Sequence, residues 1–169
     1  MTSNTLIASI LRSITILLIQ ILVLKNASEN VRYLEIYLYP LILILLPFRT
    51  PHYGILLIGF FTGLVIDAFY NTIGVHTFVC VFTAFIRPYL CQVMEPRGGY
   101  ESNQSPNRAT MGVEWYFQHV AILMFIHIFV LFIVSSLSFN FTLLLRIFYG
   151  FTVTMLLTVL HSYIFNPKI

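Results

Sequence analysis

Long apolar runs alternate with short polar breaks along almost the whole chain, and six runs stand out: Thr5–Leu24, Leu34–Phe48, Tyr53–Tyr70, Val75–Val93, Val113–Leu137 and Phe141–Phe165. A helix that crosses roughly 30 Å of hydrocarbon needs about 20 mostly apolar residues, which all but the second run approach or exceed. The second run, being the shortest, is expected to be tilted or partly interfacial. The first is too long for the apolar region of a signal peptide and no A-x-A site follows it, so it reads as a retained helix. The breaks carry turn chemistry: polar Lys25 to Arg32, two prolines and Arg49 in PFRTPH, Asn71 with Gly74, and SLSFN from Ser136 to Asn140. Residues 94–112 hold EPRGGYESNQSPNRATMG, too rich in Gly, Ser, Asn and Pro to build a core, and are expected to form a mobile cytoplasmic loop. No internal repeat is apparent, so an inverted-repeat transporter has no direct support.

The pattern predicts one all-α integral membrane domain over residues 1–169, with about six transmembrane helices and both termini on one side. Placing the termini in the cytoplasm puts Arg12, Arg49, Arg87, Arg97, Arg108 and Lys168 inside, against Lys25, Arg32 and Arg146 outside. That bias follows the positive-inside rule.

Composition agrees with this reading, since 59% of residues are hydrophobic and 9% charged, against roughly 45–50% and about 25% in soluble proteins. The net charge of +3 is small and its basic residues are scattered, which argues against a nucleic-acid partner. Cys80 and Cys91, about 16 Å apart on one helix, are too distant for a disulfide and read as small buried apolar residues. Tyr33, Tyr37, Tyr39, Tyr100, Tyr116 and Tyr163 stand near run ends, as aromatic belts do. Trp115 is a candidate interface anchor, and Glu114 suits a helix N-terminus.

Gly59, Gly63 and Asp67 follow one another at steps of four in GFFTGLVID and share one helix face. Glycines four apart let a second backbone approach closely, so that face is expected to look inward, with Phe60, Leu64 and Phe69 turned away. Asp67 is the only aspartate. An ionised carboxylate in a spanning helix costs at least about 2.5–3.5 kcal/mol on insertion scales, so something must offset it. Three readings compete: a structural hydrogen bond to nearby backbone or to Asn71 and Thr72, a partner-binding role, and an ion or ligand site. Arg146 is a candidate charge partner.

From about Tyr39 to Tyr89 the chain resembles the rod shape-determining MreD family of the bacterial cell-elongation machinery. The resemblance rests on a basic turn with Pro47 and Arg49, then G-x3-G-x3-D at Gly59, Gly63 and Asp67, then x6-G at Gly74 and an apolar helix. It implies a non-catalytic subunit of the bacterial inner membrane that helps organise sidewall peptidoglycan synthesis. It further implies direct contact with the single-span protein MreC and, through the complex, with a RodA-type glycosyltransferase, a class B penicillin-binding protein and MreB.

Catalytic patterns are not visible. There is no GxSxG, no paired carboxylates and no phosphate-cradling loop, so neither an enzyme nor a cofactor is expected. His119 and His127 lie about 12 Å apart along one helix and cannot ligate the same metal, so both read as satisfied polar residues. His52, His76 and His161 lie near run ends. The competing function is a small-solute carrier such as a vitamin-binding transporter subunit, which would need a polar-lined cavity.

Overall fold

The structure, a computed structural model, describes residues 3–30, 35–100, 104–136 and 140–165. Arg32, Tyr33, Leu34, residues 101–103 and 137–139, and Lys168 lie outside them. Among the described residues the regular structure is all helical, and four helices are long and apolar enough to cross a membrane: Ser9–Ala27, His52–Tyr70, Val113–Ser136 and Phe141–Ile164. The chain is therefore a helical membrane protein.

Helix α1 (Ser3–Ile19) runs through a π-helical turn at Gln20–Leu24 into α2 (Lys25–Asn30). Helix α3 is a single turn, Leu41–Ile44. Helix α4 (His52–Tyr70) starts after Pro51, whose missing N–H and fixed φ suit a helix entry, and ends at Asn71 in the left-handed region. Gly74, at φ 78°, opens α5 (Val75–Val93). A short α6 (Arg108–Met111), capped by the Asn107 side chain on the Thr110 N–H at 2.8 Å, precedes α7 (Val113–Ser136) and α8 (Phe141–Phe165). The expected run ends at Val75, Val93, Phe141 and Phe165 coincide with these helices.

The second run departs from the expected tilted or interfacial helix. Residues 35–38 have no regular secondary structure, Tyr39 and Pro40 turn, α3 lasts four residues, and Ile36 through Pro47 are all buried. This segment is the centre of the molecule, packed against α1, α4, α5 and α7. Pro40 contributes no N–H and fits the start of one helical turn, but the non-helical residues before it leave peptide groups that a helix would have paired.

Other parts of the chain supply those partners. Gln20, fully buried at the start of the π-helical turn, donates to the Ile36 carbonyl at 2.9 Å and accepts from the Leu38 N–H at 2.6 Å, completing a strand-like pair with its side-chain amide. Its second N–H reaches the Tyr70 hydroxyl at 2.7 Å. The Thr154 hydroxyl accepts from the Tyr37 N–H at 3.2 Å. At the other end Arg12 donates to the Leu45 carbonyl at 2.8 Å, and Arg87 to the carbonyls of Ile44 and Leu46. Irregular backbone at membrane depth is tolerated where protein surrounds and satisfies it. Gly150 lets α8 close on the segment, because a Cβ there would meet the Glu35 carbonyl at 3.1 Å and the Phe132 ring at 3.3 Å.

The stretch expected to be a mobile loop is tied to the bundle at several points. Tyr100 stacks on Phe48 with ring centroids 3.9 Å apart and donates to the Cys91 carbonyl at 2.6 Å. Burial pushes its phenol pKa up. Trp115 donates to the Met94 carbonyl at 2.7 Å, the Phe48 N–H meets the Gln104 carbonyl at 3.1 Å, and Arg108 lies 3.8 Å from the Tyr163 ring centroid.

Replacing Gln20 by leucine removes three hydrogen bonds at once, to the Ile36 carbonyl, the Leu38 N–H and the Tyr70 hydroxyl. Unsatisfied buried groups cost about 1–3 kcal/mol each, so the Gln20→Leu protein is expected to lose at least ~2 kcal/mol in detergent unfolding. The exposed Leu18→Ala control should stay within about 0.5 kcal/mol of wild type.

Candidate functional site

The G-x3-G-x3-D-x6-G string is the architecture of one helical hairpin. Helices α4 and α5 run antiparallel and touch most closely at the glycines. A Cβ on Gly63 would lie 2.4 Å from the Thr77 Cα and 2.7 Å from the His76 carbonyl oxygen, and one on Gly59 would lie 3.1 Å from the Ala84 Cβ and from the Cys80 carbonyl oxygen. Gly63 therefore admits no side chain at all. The opposite face of α4, with Phe60, Leu64 and Phe69, is exposed as expected.

One turn further on, the buried carboxylate of Asp67 closes the hairpin. Its Oδ1 accepts from the Thr72 hydroxyl at 2.6 Å and the His76 N–H at 2.9 Å; its Oδ2 accepts from the Thr77 N–H at 2.8 Å and the Thr77 hydroxyl at 2.6 Å. Asp67 is thus an N-cap delivered from the preceding helix, answering two of the N–H groups that open α5 and placing negative charge at the positive end of its dipole. Gly74 in the left-handed region brings those N–H groups round to meet it. Of the structural partners expected for Asp67, Thr72 contributes its hydroxyl, whereas Asn71 contributes its main chain, donating to the Asp67 carbonyl.

Arg146 does not serve Asp67. Its guanidinium bonds the Glu35 carboxylate, whose other oxygen accepts from the Tyr37 hydroxyl at 2.5 Å. The physical reason is that Asp67 already has four donors, while Glu35 enters the bundle with the buried segment directly beside Gly150 of α8.

A second polar group adjoins the hairpin. The Tyr39 hydroxyl sits between His76 Nδ1 at 2.7 Å and His127 Nε2 at 2.8 Å, and Thr83 bonds His127 Nδ1 at 2.8 Å while donating to the Val79 carbonyl at 2.8 Å. Donor counting assigns the protons for neutral rings: Thr83 has one proton and gives it to Val79, so His127 carries its proton on Nδ1, Tyr39 donates to Nε2, and His76 donates from Nδ1. The hydrogen bonds of Tyr39, His76, His127 and Thr83 then run in one direction through a buried core. His127 is a satisfied polar residue as expected. His119 is packed flat on Trp115, ring centroids 4.7 Å apart, and His76 is buried despite standing near a helix end. Among the described residues no three His, Cys, Asp or Glu side chains gather as metal ligands would.

Pro47 and Arg49 form the turn into α4, where the Thr50 N–H and hydroxyl both donate to the Pro47 carbonyl at 3.1 and 2.8 Å and Arg49 projects outward. Sequence reading missed Gln20, Glu35, Tyr39, Thr83 and Gly150 as structural centres. A lone glutamine inside an apolar run was the visible signal for the first; the others need the fold.

Comparison of the chain with protein-family models, with curated proteins and with solved structures finds no match.

Gly63→Ala is expected to be the most damaging small change in the hairpin. Its Cβ meets backbone that cannot yield, costing about 1–3 kcal/mol in detergent unfolding, with Gly59→Ala milder and Leu64→Ile nearly silent.

Asp67→Asn turns an amide N–H toward the Thr77 donors and should cost about 1–3 kcal/mol. Double-mutant cycles separate its partners from those of Arg146. Glu35→Gln with Arg146→Gln should couple by about 0.5–3 kcal/mol, whereas Asp67→Asn with Arg146→Gln should add within about 0.5 kcal/mol. Recovery of stability in the second double variant would restore Arg146 as the partner of Asp67.

Proposed function

We propose that this chain is a non-catalytic, multi-pass scaffold subunit of a bacterial inner membrane, acting as an MreD-type component of the cell-elongation complex. One observation carries the reading: the string that bears the resemblance, Gly59, Gly63, Asp67 and Gly74, forms a self-contained hairpin in which Asp67 is answered entirely from within the chain. Tyr39, His76, Thr83 and His127 likewise bond one another rather than line a solute cavity, which favours a scaffold over a carrier. What remains for recognition is the outer surface. Leu57, Phe60 and Phe61 on α4 and Phe148, Leu156 and Leu160 on α8 are exposed large side chains suited to helix contacts in lipid.

In this reading the chain crosses six times, with the buried segment 35–46 and α5 as the second and fourth crossings. Arg12, Arg49, Arg87 and Arg108 then fall at the cytoplasmic end with both termini, and Lys25, Glu35 and Arg146 at the outer end, in keeping with the positive-inside rule. A single-span MreC-type protein is the direct partner. The glycosyltransferase, the class B penicillin-binding protein and MreB are reached through it.

Affinity purification of the tagged full chain from rod-shaped cells tests this. The single-span partner is expected in near-stoichiometric amount, and Phe148→Ala with Leu156→Ala should lower its recovery while leaving thermal stability close to wild type. A preparation that carries a small solute and no single-span protein would refute the scaffold role.

A further inference from the structure

Between α1 and α4 the bundle does not close. Ile10, Ile14 and Leu17 form one wall of a groove of about 510 Å3, and Leu57, Phe61 and Val65 form the other. Ile42 and Leu46 of the buried segment make its floor, and the turn into α4 makes its mouth.

Three features restrict what this groove accepts. The first is length. Thirteen residues separate His52, where α4 begins, from Val65, which at 1.5 Å per residue is about 20 Å; one leaflet supplies about half of a roughly 30 Å hydrocarbon core. The groove therefore starts at the end of a crossing and reaches the depth of a single lipid tail. The second is lining. Apart from Arg49 and four small hydroxyl residues, Ser9, Ser13, Thr50 and Thr62, the groove is walled by apolar side chains, which suits a hydrocarbon chain.

The third is charge. Arg49 is the one charged residue among those lining the groove, and it stands at the mouth. It is exposed and makes no hydrogen bond or ion pair to any other described residue. The hydroxyls beside it are engaged internally, Thr50 with the Pro47 carbonyl at 2.8 Å and Ser13 with the Ser9 carbonyl at 2.9 Å. A free guanidinium above an apolar slot one leaflet deep complements a phosphate joined to an acyl chain.

We propose that the α1–α4 groove is a binding site for one anionic glycerophospholipid, with an acyl chain between Ile14 and Leu57 and the headgroup phosphate on Arg49. The site shares Leu57 and Phe61 with the α4 face offered above for helix contacts, but it uses neither the glycine and Asp67 positions of the hairpin nor α8, so the retained-lipid readout fails or succeeds separately from partner recovery. Arg49 steers the choice of headgroup; the groove walls hold the chain.

The test uses the full-length protein in nanodiscs containing equal phosphatidylglycerol and phosphatidylcholine, with the lipid that stays bound after release into mild detergent counted by native mass spectrometry. Wild type should retain about one phosphatidylglycerol per chain. Arg49→Gln should still hold a lipid but lose its preference for phosphatidylglycerol by about fivefold, the worth of one arginine near an anionic surface. Ile14→Trp, which fills the slot, should retain neither lipid while remaining folded by circular dichroism; if it fails to fold, Leu57→Trp provides the same block from the other wall. Equal retention of both lipids by wild type would overturn the proposal, and so would unchanged occupancy in a folded tryptophan variant. Photo-crosslinking from position 14 to a protein partner rather than to lipid would overturn it as well.

Discussion

The peptide groups of residues 35–38 and the carbonyls that end the single turn α3 have to be satisfied without a continuing helix, in an interior that holds no bulk water to do it. Most of the architecture can be read as an answer to that need. Gln20 sits at a π-helical turn, a local widening that carries its amide onto the Ile36 and Leu38 peptide groups. Arg12 and Arg87 come from helices on either side to the carbonyls that end α3, so two charges that would be costly in lipid are held by main-chain dipoles instead. Thr154 and Gly150 bring α8 to the same segment. Helices that look independent in sequence are thereby committed to one central segment.

The α4–α5 hairpin solves a related problem on a smaller scale. Its two glycines remove side chains where backbones meet, and its single carboxylate supplies the acceptors that the start of α5 lacks. The hairpin is the part of the fold most readable from the sequence, because the steps of four between Gly59, Gly63 and Asp67 encode a face directly and close approach leaves no choice but glycine. Of the readings open for Asp67, the structural hydrogen bond to nearby backbone and Thr72 is the one the structure shows, and Arg146 lies elsewhere; the further donors, the Thr77 hydroxyl and the main-chain N–H groups that open α5, have no compositional signature.

The helix ends at Asn71, Gly74 and Phe141 were legible for the same local reason: left-handed residues and asparagine caps act within a turn of where they stand. The second run was not legible. Eleven residues of Tyr, Leu, Ile and Pro from Ile36 to Leu46 read alike as a short helix or a fully buried extended stretch, since periodicity disappears when every side faces protein. What decides between them is a set of partners lying from Arg12 to Thr154, and no local pattern reports contacts at that range. The Tyr39, His76, His127 and Thr83 chain was hidden likewise, its members coming from three separate elements.

The range of those partners also sets an order of assembly. Gln20 has left the ribosome before Ile36, but Arg87 follows the segment by about forty residues and Thr154 by more than a hundred. While synthesis proceeds, the Tyr37 N–H and the Ile44 and Leu46 carbonyls lack their native side-chain partners and need other contacts until those arrive. The central segment can settle into the bilayer only as the last helix arrives, so a chain cut short before α8 would be born with its middle unfinished.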